Sequence, residues 1–150
     1  MERRDFIKKT CNSCASVGIG LLLSSAIMES CKTSSLSVYK VDAHDGIVAI
    51  PLASLTESNA KLVRINNYNF DIAVIKQPSG EYLALLLMCT HAGQALTKAG
   101  SNYLCPLHGS IFSAAGNVVK GPATDPLEHL VIKTDKQNLF IKLDAAYYTS

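Results

Sequence analysis

Cys89-Thr90-His91-Ala92-Gly93 and Cys105-Pro106-Leu107-His108-Gly109-Ser110 decide how the chain reads. Each stretch sets a thiol and an imidazole within three residues of one another, beside a glycine that allows the backbone to turn tightly. The spacing is Cys-x-His, thirteen residues, then Cys-x-x-His. Two sulfur and two nitrogen donors form a metal-ligand set rather than a core-packing set.

Outward from these stretches the hydrophobic pattern is short and strand-like. Residues 47–50, 62–65, 70–76 and 82–88 are apolar runs of four to seven residues, separated by Asp45-Gly46, Asn66-Asn67 and Gln77-Pro78-Ser79-Gly80. The run 83–87 is almost continuously apolar, which predicts a strand buried on both faces that leads directly into Cys89. Pro78-Ser79-Gly80 predicts the hairpin that delivers it. Between the two ligand stretches, residues 95–101 read as a loose connection and 102–104 as a short strand. Beyond them, 111–113 and 118–119 read as strands around an Ala115-Gly116-Asn117 turn. Residues 121–127 form a proline-rich loop, and 130–134 with 139–143 form a hairpin across Asp135 to Asn138. No stretch after Val38 has a sustained 3.6-residue period, although 52–60 has room for a turn of helix. The fold class expected is all-β, a small domain of antiparallel sheets with the two ligand loops at one end.

The double motif resembles the Rieske iron–sulfur family, in which two His replace two of the four Cys ligands of a 2Fe–2S cluster. The resemblance covers most of residues 38–143. It implies one Rieske-type cluster, with Cys89 and Cys105 on an inner iron and His91 and His108 on an outer iron near the surface. It also implies that Ser110 donates to a bridging sulfide and that a proline loop, here Gly121-Pro122-Ala123, covers the cluster, with Leu107, Gly109 and Pro122 beside it. Two positions depart from the family's quinol-oxidising subunits. Where those carry a pair of disulfide-forming cysteines this chain has Gln94 and Leu107, and where they carry a tyrosine donor it has Phe112. Losing a donor to the sulfur leaves the more negative, reduced state less stabilised, so a potential in the lower half of the family range is expected.

A tetrahedral zinc site draws on the same four residue types, and that alternative stands beside the first. The one-residue gap in Cys89-x-His91 is shorter than usual zinc-finger spacing, and Pro106 and Gly109 add detail that matches the iron–sulfur pattern. His44, beside a turn, and His129 read as surface or structural histidines. Tyr82, Tyr103 and Phe112 read as core, and Lys98 and Lys120 as solvated charges able to steer an acidic partner.

The 150 residues leave room for one domain and a short extension, here 38–150 and 1–37. The net charge is +2, with Arg3, Arg4, Lys8 and Lys9 at the front, and from Lys32 onward ten Lys and Arg face nine Asp and Glu. Without a basic patch the domain offers nothing to nucleic acid. Arg3-Arg4-Asp5-Phe6-Ile7-Lys8-Lys9 resembles a twin-arginine export signal. It is followed by an uncharged, mostly apolar run over 15–28, the length of a signal core and short of a membrane span. Cys31 partly resembles a lipoprotein acylation site, from which Glu29 departs, and the serines of 32–37 suit a tether. Such a route carries folded proteins, so leader and ligand motif agree on export of a protein whose cofactor is inserted first. The expected protein sits on the outer side of the cytoplasmic membrane, anchored there by the leader or by lipid on Cys31. It transfers one electron at a time to a redox protein partner. With no nucleophile–base pair in view, it reads as a carrier or as the small subunit of a larger exported oxidoreductase resembling arsenite oxidase, not as an enzyme alone.

Overall fold

The computed structural model describes residues 38–56 and 58–144. The expectations about the leader, its cleavage and Cys31 lie outside the described residues.

Three four-stranded sheets make up the described part. The first has the order β1 (Val38–Val41), β4 (Ala60–Ile65), β5 (Asp71–Lys76) and β6 (Tyr82–Leu86). The second runs β11 (Val131–Thr134), β12 (Asn138–Lys142), β3 (Ile47–Pro51) and β2 (Ala43–His44). The third, in the order β10 (Val118–Lys120), β9 (Ile111–Phe112), β8 (Asn102–Leu104) and β7 (Thr97–Ala99), carries the second ligand loop. A single 3-10 turn, Leu52–Leu55, follows β3, within the stretch where the sequence left room for a helical turn.

The turns form where their chemistry permits. Asp45 and Gly46 take φ of 49° and 74° between β2 and β3, the double positive φ that matches a hairpin's twist. Gly80 closes the β5–β6 hairpin by donating to the Gln77 carbonyl, and the Asp135 carboxylate accepts from the Gln137 and Asn138 amides between β11 and β12. These two amides hold the Asp135 carboxyl below its ordinary pKa.

β5 and β6 separate two apolar interiors. Because successive side chains point to opposite faces, Ile72, Val74, Ala84 and Leu86 join one core with Val48, Ile50, Leu139 and Ile141. Ala73, Leu85 and Leu87 join the other, which contains Cys89, Cys105, Tyr103 and Phe112. The two-faced burial read from 83–87 is therefore what places the first ligand loop: β6 is gripped on both sides before it reaches Cys89.

Two details differ from the reading of the sequence. β1 pairs with β4 in parallel, Val38 opposite Leu62, although the other strand pairs are antiparallel. The supposed loose connection at 95–101 contains β7, whose Thr97 and Lys98 pair with Leu104 and Tyr103. All three β7 residues are exposed, so no alternation announces the strand; pairing with β8 alone creates it.

Candidate metal centre

The two ligand loops are the same turn built twice. In the first, the Cys89 amide donates to the Gln94 carbonyl at 2.8 Å and the Gly93 amide donates back to the Cys89 carbonyl at 2.8 Å. In the second, Cys105 donates to Ser110 at 2.8 Å and Gly109 to Cys105 at 3.0 Å. Each turn closes on a glycine of positive φ, 63° at Gly93 and 77° at Gly109, a backbone that a Cβ would strain. Loop 1 hangs from β6 through a Met88–Ala95 bridge and the Leu96 amide on the Leu87 carbonyl. Loop 2 joins β8 to β9.

This repeated turn sorts the side chains by depth. Cys89 and Cys105 are 2% and 0% exposed, whereas His91 and His108 stand in solvent. The Nδ1 atoms of the two imidazoles lie 3.3 Å apart, with ring centroids 5.1 Å apart at 76°. Two ring nitrogens thus converge on one spot at the tip, above two free thiols. Burial pushes the Cys105 thiol up, but the His108 and Leu107 amides and the Cys89 thiol hold it more strongly, and its pKa falls below the ordinary value.

The residues named from the sequence take different places around this centre. Ser110 is fully buried, and its Oγ accepts from the Ala123 amide at 3.0 Å, which leaves the hydroxyl proton free to be donated elsewhere. Gly109 serves the turn. Pro122, after a cis Gly121–Pro122 bond, lies exposed at the start of the proline loop. Leu107, expected beside the cluster, is 55% exposed in the middle of the second turn. Tyr103 and Phe112 are buried in the core beside the thiols, as expected, and Tyr82 is half-buried. The Lys98 ammonium sits 4.6 Å from the centre of the Tyr103 ring, and burial lowers its pKa, so it is less solvated than its sequence context implied. His44 is exposed; His129 is exposed and bridges Leu85 through its backbone. Thr90, which nothing in the sequence marks, donates to the Asp125 carbonyl at 2.7 Å.

The donor set fits the two-iron cluster better than a single ion. Among the described residues no three His, Cys, Asp or Glu side chains gather as one metal ion requires. The four stand as a buried thiol pair and an exposed imidazole pair. A tetrahedral zinc needs four donors around one point; a Rieske cluster takes two Cys at one iron and two His at the other.

Comparison with known proteins agrees. Residues 47–134 match the model of the Rieske [2Fe-2S] domain. The chain is 36% identical over 75 residues to the mitochondrial cytochrome b-c1 complex Rieske subunit of Saimiri sciureus, covering 48% of this chain and 27% of that one. It is 26% identical over 80 residues to the cytochrome b6-f complex iron-sulfur subunit of Chlorobaculum thiosulfatiphilum, covering 52% and 44%. Among solved structures it is similar to the plasma membrane Rieske protein PetC3 from Synechocystis PCC 6803, at 26% identity and a TM-score of 0.48 over 61% of this chain and 94% of that one. The chain spans about a quarter of the length of the mitochondrial subunits it matches. The family model reaches across β3 to β11 and includes both ligand turns, so the chain belongs to the Rieske [2Fe-2S] family and takes one Rieske-type 2Fe–2S cluster.

Proposed function

We propose that this protein is an exported one-electron carrier whose cluster is held by Cys89, His91, Cys105 and His108. The observation that carries the reading is the depth order of the four side chains, thiols buried and imidazoles at the surface with facing nitrogens. When bound, the cluster supplies reversible one-electron chemistry at a potential that its two neutral imidazole ligands raise above that of all-Cys clusters. Cys89 and Cys105 anchor it in a water-poor interior, and His91 and His108 form its exposed edge, where a docked redox protein comes within reach. The ligand loops, 89–94 and 105–110, contain no Asp, Glu, Lys or Arg. Together with exposed Leu107, that supports docking by shape and apolar contact more than by charge. The leader motif supports a place on the outer face of the cytoplasmic membrane, tethered through the leader or lipid on Cys31.

Phe112 supports a potential in the lower half of the family range of about −150 to +300 mV. It is fully buried in the core that holds both thiols and carries no hydroxyl to donate. A potential titration followed by electron paramagnetic resonance tests the reading. A rhombic signal with mean g below that of all-Cys clusters, and a low midpoint, are expected; metal-loaded protein with zinc and no such signal overturns it. Phe112→Tyr should raise the midpoint by roughly 40–60 mV, the value of about one hydrogen bond in a one-electron couple.

A further inference from the structure

Lys98 stands on β7, an edge strand of the sheet that carries the second ligand loop. Its partner across the β7–β8 ladder is Tyr103, and residues directly opposite one another in an antiparallel pair send their side chains to the same face. Tyr103 is 2% exposed, lies two positions before Cys105 and is buried in the core that contains both thiols. The Lys98 side chain is therefore drawn toward the inner side of its sheet, and its ammonium lies 4.6 Å from the centre of the Tyr103 ring. At that distance the electron-rich ring face attracts a cation. Burial, not a neighbouring charge, lowers the Lys98 pKa. The third sheet and both ligand loops supply no carboxylate to offset this ammonium. Residues 82–124 contain no Asp or Glu, and Lys98 and Lys120 are their only Lys or Arg.

We propose that Lys98, held against the Tyr103 ring, is a redox-tuning residue whose positive charge stabilises the reduced cluster and raises its potential. The inference rests on the cluster reading above. The reduced state carries one more negative charge than the oxidised state, so a fixed cation nearby favours it by Coulomb attraction. Lys98 supplies no ligand; it acts through its field, from the far side of a ring packed in the thiol core. It works against Phe112, the β9 partner of Tyr103, which has no hydroxyl to donate. An inward-pointing charge on an edge strand also blocks pairing with a second chain, and the test separates that role from tuning.

The test uses the full chain loaded with iron and sulfide, in wild-type, K98M, K98R, K98E and K120M forms. Two quantities are read at one pH and salt concentration: the midpoint potential and the molecular mass in solution. K98M keeps a stem of similar length and removes the charge. Its reduced-to-oxidised ratio at the wild-type midpoint should fall about two- to fourfold, a midpoint lower by roughly 20–35 mV at about 59 mV per tenfold for one electron. K98R should match wild type, and K98E should shift about twice as far as K98M, because it changes the charge by two units. Lys120 is exposed on β10, the opposite edge strand, where water and salt screen it, so K120M should shift less than K98M. A K98M midpoint equal to wild type, or a K98R midpoint that falls as far as that of K98M, would overturn the tuning while leaving the cluster reading intact. So would K98M protein that doubles its mass at the wild-type midpoint, which assigns Lys98 to edge protection instead. K120M shifting as far as K98M would overturn the role of the Tyr103 contact. Wild-type protein that takes up no cluster would overturn that reading, and the tuning with it.

Discussion

β3, β4, β5, β6 and β12 are strands of five or six residues packed around Val48, Ile50, Ile72, Leu86 and Ile141, a mostly aliphatic interior that also takes in Phe70. β7 to β10 are strands of two or three residues, and the core behind them includes two thiols, a tyrosine and a phenylalanine. The first region removes enough apolar surface from water to hold its own shape. The second has short ladders and two thiols at its centre, so its order rests on paired loop hydrogen bonds rather than on a large apolar interior. The comparison teaches that one part of the molecule is a scaffold and the other presents the candidate cluster site, with β6 belonging to both.

The sharpest break between the two regions comes from the ligands. His91→Ala should abolish the Rieske spectrum, while the far-ultraviolet signal of the long strands remains; His129→Ala should leave the spectrum intact. Loss of the cluster in the His129 variant would sink the assignment. The opposite response is expected from Ile50→Ala, which hollows the aliphatic core. Chemical denaturation should give a loss of about 2–5 kcal/mol, with an unaltered spectrum in the protein that is still folded. Spectral change in that variant under native conditions would mean that the two regions are not separable.

Gly116 lies in the second region, against Leu85 of β6. Its φ is +85°, and a Cβ there would stand 3.0 Å from Leu85 Cδ2 and 3.3 Å from Leu127 Cβ. Gly116→Ala should destabilise by about 1–3 kcal/mol and quicken cluster loss, because it displaces the residues behind the proline loop. The smallest effect belongs to the far hairpin. The folded-state pKa of Asp135 is depressed, so its contribution is present above the ordinary carboxylate range and disappears as pH falls through the folded value. Thermal melts of Asp135→Ala should lie slightly below wild type at neutral pH and converge with it in acid, with no change in the cluster signal at any pH where it persists.

Much of this was legible in the chain because it is local. Asp45-Gly46 and Ser79-Gly80 announce hairpins through φ requirements that few other residues meet. The unbroken apolar run at 83–87 announces a strand with two buried faces. A Cys and a His beside a glycine, twice, announce the metal centre, since soft and imidazole donors at that spacing have little other use. β7 was not legible, because Thr97, Lys98 and Ala99 are exposed and carry no alternation. The exposure of Leu107 was not legible either, because proximity in sequence to Cys105 and His108 does not say which way a turn points its corner.

The sequence by itself determined the all-β class and the strand that delivers Cys89, and named the candidate donor atoms, because each depends on residues within a few positions of one another. Only the tertiary structure decided the parallel pairing of β1 with β4, the depth order of thiols and imidazoles, and the contact between Thr90 and Asp125, 35 residues apart. Those arrangements follow from which surfaces bury against each other once the sheets assemble, and a short-range pattern carries no record of that choice.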